Sequence, residues 1–238
     1  MVEPSARFED IKIPLPDSVH GLEEVTAVLG VPRWWPTGAR VNVVLTHGAG
    51  SNCDDPAITA LHREFTEQRY LCLRFNFPFA EAGKRKPDDP KILRRTLRAA
   101  IELLARDPTA APAHLFLVGH GLGAEVVADL SLSRLRADGL VLLGYPLHPA
   151  GKSAEAAADQ LYRVVAPMLF MTGTRDRYCD VDTLRRMLAR VGAPTQLHAI
   201  EGADHHFKVL KKSGRTQEEA EAELLAVADT WMEKILGD

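Results

Sequence analysis

The stretch "LFLVGHGLGAEVV", residues 115–127, decides the fold. An apolar run, Leu115 to Val118, leads into three glycines spaced two apart, Gly119, Gly121 and Gly123, and then into residues with helical spacing. This is the pattern of a buried strand that turns sharply into a helix, the setting of the nucleophile elbow G-x-S-x-G. Every feature of that elbow is present except its centre. Gly121 stands where the serine belongs, so residue 121 offers no side-chain oxygen for attack.

On both sides of this stretch, short β-rich runs alternate with longer helical ones. "VNVVLTHG" (41–48), "YLCLRFN" (70–76), "HLFLVGH" (114–120), "GLVLLGYP" (139–146), "PMLFMTG" (167–173) and "TQLHAIEG" (195–202) each combine β-branched or aromatic residues with a terminating Gly, Asn or Pro. Helical spacing marks 56–69, 90–106, 122–135, 181–191 and 217–236. In the second of these, Ile92, Leu93, Leu97, Ala100, Ile101 and Leu104 form one apolar stripe. Strands that are apolar throughout and separated by helices require a parallel sheet covered on both faces. The expected fold is therefore α/β, a doubly wound, mostly parallel sheet. "RFEDIKIPL" and "EVTAVLGVP" come first with no helix between them and are expected as an antiparallel edge pair. The segment from Tyr145 to Pro167 holds at most one short helix, so no large lid is expected.

At 238 residues and 46% hydrophobic, the chain is long and apolar enough for one α/β domain over 1–238, with residues 1–38 as its N-terminal edge strands and loop. A formal net charge of −3 gives no reason to expect nucleic acid or an anionic membrane surface as partner. The basic runs Lys84-Arg85-Lys86 and Lys211-Lys212 read as solvated faces. The N-terminal stretch is acidic and proline-punctuated where a signal peptide needs a basic start and an apolar core, so cytoplasmic location is expected. Three cysteines without C-x-x-C spacing point to neither a disulfide framework nor a zinc site, and no metal or cofactor motif is read.

Ligands of such a sheet gather at the carboxyl ends of its strands. Asp176 follows the strand at 167–173, and His205 with His206 follows the strand at 195–202. Elbow, then Asp, then His is the chain order of the α/β-hydrolase triad. With "LTHGAGSNCDDP", "CLRFNFPF", "VGHGLGAE", "LLGYPLHPAGK", "GTRD" and "EGADHHFKV", the chain resembles small, lid-less α/β-hydrolases of the dienelactone-hydrolase-like type. Within these it is most similar to the branch of testis-expressed proteins and a chromatin-complex subunit. The resemblance makes Asp176 the triad acid and His205, the first His of a D-H-x-F pattern, the base. It makes the N–H groups of Leu122 and Ala49 the oxyanion donors.

Around that centre, His47, Gly50, Arg74, Asn76 and His148 are substrate-binding candidates, and of the two roles open to Arg74 and Asn76, tying down the loop after their strand is favoured over binding a substrate carboxylate. Asp54 and Asp55 suit capping a helix that starts at Pro56. Trp34 and Trp35 beside Pro36 suit loop packing or, if exposed, a partner surface. Cys53 and Cys179 are the two thiols near enough in sequence to replace the missing nucleophile. Three readings follow: a hydrolase-like protein without its nucleophile, a non-catalytic binding or scaffolding protein, and an enzyme using His205 with Asp176 as a base without a covalent intermediate. A minimal linker in place of a lid favours small soluble acyl compounds as substrates. Oligomeric state is left open.

Overall fold

The computed structural model describes residues 5–34, 40–105, 112–133, 135–152, 156 and 159–237. Trp35, Pro36 and the side chain of Lys211 lie outside the described residues. The strands form one eight-stranded sheet in the order β1-β2-β4-β3-β5-β6-β7-β8, counting strands along the chain. The chain divides into two compact units, Met1–Val118 and Gly119–Asp238.

In the first unit, β1 (Arg7–Val19) and β2 (Leu22–Val31) pair antiparallel as expected, with Arg7 opposite Val31 and Ile13 opposite Val25. They join through His20 and Gly21, both at positive φ (58° and 79°), the backbone that a two-residue hairpin turn of the strands' own twist requires. The ring of His20 meets the Asp88 carboxylate at 2.6 Å, which anchors the turn. β2 pairs antiparallel with β4 (Leu71–Phe75), and β3 (Val41–Thr46) runs parallel to β4. β3 is buried along its whole length, as a central parallel strand should be.

Helix α1 (Pro56–Glu67) starts where Asp55 accepts from the N–H groups of Ala57 and Ile58, with Pro56 in the first turn. Such a cap contributes about 1 kcal/mol. A short helix α2 (Pro78–Glu81) follows β4, and α3 (Pro90–Ala105) packs the apolar stripe read from its sequence, with Leu93, Leu97, Ala100, Ile101 and Leu104 buried. Lys84, Arg85 and Lys86 are exposed. Trp34 is 58% exposed, with the Arg69 guanidinium 5.6 Å from its ring centre.

β5 (His114–His120) ends the first unit and begins the second. In the second, α4 (Leu122–Ser131), α5 (Val181–Leu188) and α6 (Gln217–Leu236) accompany β6 (Gly139–Leu143), β7 (Met168–Gly173) and β8 (Thr195–Ile200). β6, β7 and β8 are parallel, with Leu140 opposite Met168 and Met168 opposite Thr195. β6 and β7 are wholly buried, whereas β8, at the sheet edge, keeps partial exposure at most positions. Thr216 and Glu219 form a reciprocal capping box that fixes the start of α6. Between Tyr145 and Pro167 the described residues contain one 3-10 turn, Leu161–Arg163, and no lid helix.

Candidate active site

The bend between β5 and α4 is made by backbone alone. Gly121 lies at φ 54°, ψ −118°, a conformation that costs a residue with a side chain roughly 1–3 kcal/mol. Its N–H donates to the Leu143 carbonyl at the end of β6 (2.9 Å), and its carbonyl accepts from Ala124 (2.9 Å). Gly119 has a different reason to be glycine. A Cβ there would lie 2.4 Å from the carbonyl carbon and oxygen of Gly123, so the strand and the helix it feeds approach too closely for any side chain. Leu122 is the first residue of α4, and its N–H is among those that a helix start leaves without an intrahelical acceptor.

One residue beyond Leu143, Gly144 turns at φ 49°. A Cβ on it would sit 3.1 Å from Nδ1 and 3.2 Å from Cε1 of His205. The backbone leaving β6 thus holds Gly121 through one residue and supports the His205 ring through the next. His120, immediately before the bend, makes a second link. Its Nε2–H donates to the His205 carbonyl at 2.9 Å, and the two rings are 5.4 Å apart.

His205 donates from Nδ1 to Asp176 Oδ2 at 2.9 Å, an arrangement that puts the lone pair of the neutral ring on Nε2. The Asp176 side chain is 0% exposed and that of His205 17% exposed. The carboxylate is further held by the Tyr178 N–H at 2.8 Å and by the Thr172 hydroxyl at 3.4 Å. A buried carboxylate needs such partners to remain tolerable in a low-dielectric site. The Tyr178 ring lies 4.7 Å from that of His205 and covers it. The loop carrying His205 is braced by Asp204, which accepts from the N–H groups of His206 (2.9 Å) and Lys208 (3.0 Å). Phe207, at φ 58° and 3% exposed, is held in a strained left-handed conformation by burial of its ring.

The candidates of the first unit lie in the loops after β3 and β4. His47 is fully buried and makes backbone contacts through both ring nitrogens: Nδ1–H donates to the Gly48 carbonyl, and Nε2 accepts from the Phe77 N–H at 3.0 Å. Ala49 and Gly50 follow it in the turn, Gly50 at φ 75°. Arg74 bonds the Cys53 carbonyl and the Asp54 carboxylate (2.6 Å). Asn76 accepts from the Cys53 N–H at 2.7 Å and donates to Glu81. Both side chains therefore tie down the loop after β3, and Asn76 alone also holds the segment that follows its own strand, through Glu81. In the second unit His148 is similarly placed, donating to the Pro149 carbonyl and accepting from the Asp180 N–H at 3.1 Å.

Neither thiol is poised for attack. Cys53 and Cys179 are 4% and 1% exposed, and burial pushes them up to about 11 and about 12, so the thiolate is scarce at neutral pH. Two residues not singled out in the sequence stand close to the bend. His120 is the first x of the quoted G-x-G-x-G run, and its role shows only through its partner 85 positions away. Glu125, in the first turn of α4, is pushed up to about 7 by burial.

Among the described residues no helix is long and apolar enough to cross a membrane. In comparison with solved structures, the chain is similar to the dienelactone hydrolase of Anabaena variabilis, at 17% identity over 97% of this chain and 98% of that one, with a TM-score of 0.73. It is also similar to an α/β serine hydrolase homologue from Coxiella burnetii (18% identity, 92% and 96% covered, TM-score 0.70). A third similar structure, from Xanthomonas campestris, is described as an α/β serine hydrolase without lid (19% identity, 94% of each chain, TM-score 0.68). At these identities the likeness shows the fold. The sequence profile of the alpha/beta hydrolase domain matches residues 39–233, across both units, and the chain belongs to the alpha/beta hydrolase family.

Proposed function

We propose that this chain is a hydrolase-like protein of the carboxylic-ester type, with a small soluble substrate, in which Gly121 in place of the nucleophile leaves weak or no covalent catalysis. Asp176 and His205 are its acid and base, and the N–H groups of Leu122 and Ala49 its oxyanion donors. The observation that carries this reading is the 2.9 Å contact from His205 to a fully buried carboxylate that two further donors orient. An imidazole so held accepts a proton at Nε2 while the carboxylate stabilises the resulting cation. The remaining defect is local: residue 121 supplies no atom to attack the acyl carbon.

The same pair favours a second reading, in which His205 draws a proton from water and the water attacks an activated substrate directly. The third possibility, a binding protein that keeps the pocket without turnover, predicts no gain from restoring the side chain. Within the family we place the chain with the testis-expressed branch, on the six motifs quoted above, and in the cytoplasm.

Gly121→Ser tests the main reading. With p-nitrophenyl acetate as substrate, the variant should turn over roughly 10²-fold or more faster than the parent chain, since loss of the serine in a serine protease costs about 10⁶ in kcat. A folded Gly121→Ser variant that stays at the blank rate would overturn it. For the second reading, the slower rate of the parent chain should vanish in His205→Ala and survive thiol alkylation.

A further inference from the structure

The hairpin turn that His20 begins is tied to the segment after α2 by a series of three side chains. Nε2–H of His20 donates to Asp88 Oδ1 at 2.6 Å, and the second oxygen of Asp88 accepts from the Phe79 N–H at 2.8 Å. The Asp88 side chain is 4% exposed and that of His20 23% exposed. With Nε2 carrying the hydrogen, the lone pair of the neutral ring lies on Nδ1. Lys84 Nζ stands 2.7 Å from that atom and donates to it. Carboxylate, imidazole and amine are thus joined in order, all within the first unit.

A lysine attacks an acyl carbon only after its ammonium has lost a proton, and here an acceptor for that proton is in contact with it. The imidazolium so formed keeps a buried carboxylate on its other nitrogen, which offsets its charge. Lys84 is exposed beside an open cleft of about 550 Å³ whose lining includes His20, Lys84, Lys86, Asp88 and Asp89. Both oxygens of Asp88 are engaged, and Asp89 accepts from the Lys91 N–H at 2.8 Å. The charge left to meet a ligand is that of Lys84 and Lys86, with Arg85 exposed between them. That sign favours an anionic acyl donor.

We propose that Lys84 is an acylation site, modified by acyl phosphates with His20 as the base. Nζ gives one proton to His20 Nδ1, and the neutral amine bonds the acyl carbon. The bond from that carbon to the phosphate oxygen breaks, and inorganic phosphate leaves with a second proton from the nitrogen. His20 then returns its proton to water. The site does not depend on whether the chain hydrolyses esters.

The full chain, incubated with acetyl phosphate and read by peptide mass spectrometry, should gain an acetyl group on Lys84 roughly 10²-fold faster than on Lys86, which lines the same cleft without bonding the imidazole. His20→Asn should bring Lys84 down to the rate of Lys86. Asn-Gly is the preferred pair for a two-residue hairpin turn with both φ positive, so this variant should keep the fold while losing the base. Excess inorganic phosphate, at constant ionic strength, should slow acetylation of Lys84 by acetyl phosphate and not by uncharged p-nitrophenyl acetate. Equal rates at Lys84 and Lys86 in the unaltered chain, or an unchanged Lys84 rate in folded His20→Asn, would overturn the proposal. Indifference to phosphate would overturn the choice of donor.

Discussion

At Gly121, just past the end of β5, the chain contributes backbone alone, while at the ends of β7 and β8 it contributes packed, hydrogen-bonded side chains. Gly121 is fixed by its own N–H and carbonyl. His205, by contrast, has Asp176 behind it, Gly144 beneath it, Tyr178 over it and His120 on its carbonyl. The difference teaches that the acid–base corner and the nucleophile are separately specified. A side chain can be missing from the bend without loosening the corner, because nothing holding His205 passes through the side chain of residue 121.

The comparison breaks most severely at the carboxylate. In a chain carrying Gly121→Ser, adding Asp176→Asn should lower kcat by ~10⁴-fold, because the imidazole loses both its orientation and the charge that stabilises its protonated form. Ester kinetics on the double variant checks this, and a loss of less than 10-fold, to mark the order of magnitude expected of a dispensable group, would show that the carboxylate is ornamental.

Next in size is Gly173→Ala. A Cβ there would stand 2.2 Å from the Ala203 carbonyl oxygen and 2.6 Å from that of Asp204, both backbone atoms of the loop that presents His205. Separating these backbones should cost about 3 kcal/mol, read as a fall in denaturant midpoint, and should weaken the His205 pair. Gly50 offers a contrast, since nothing lies within 4 Å of a Cβ built on it. Its constraint is the positive φ alone, and Gly50→Ala should cost on the order of 1 kcal/mol.

The smallest effect sharpens the comparison through pH. Burial raises the Glu125 carboxyl from 4.5 to about 7 in the folded chain. The folded state therefore keeps its proton where the unfolded state has lost it, and stability falls as pH rises from about 4.5 through about 7. Glu125→Gln should be more stable than the parent by on the order of 1–2 kcal/mol at pH 8, after discounting for partial exposure, and indistinguishable from it at pH 4. Thermal melts at the two pH values separate these cases. A difference that grows toward low pH would contradict the sign.

Much of this architecture was legible in the residues. The six core strands, the five long helices and the antiparallel pair that precedes them follow from periodicity and punctuation, because apolar runs and Gly or Pro stops act locally. The turn at His20 and Gly21 was less legible, since a histidine in a left-handed conformation gives no sequence signal and is held there by Asp88, 68 positions away. For the site, the order of Gly121, Asp176 and His205 was readable, and Asp176 and His205 do meet. The placements of His47, Arg74, Asn76 and His148 were not. Each side chain finds at least one of its partners on another loop, and a polar residue at a strand end looks the same in sequence whether it meets substrate or backbone. His120 was hidden for the same reason.

The most direct measurement is covalent. Gly121→Ser, incubated with a fluorophosphonate and analysed by peptide mass spectrometry, should carry the phosphonyl group on residue 121, and His205→Ala in the same chain should abolish the labelling. A folded Gly121→Ser protein that takes up no label, or takes it up equally without His205, would contradict the claim that the base is already in place and waits only for an oxygen to activate.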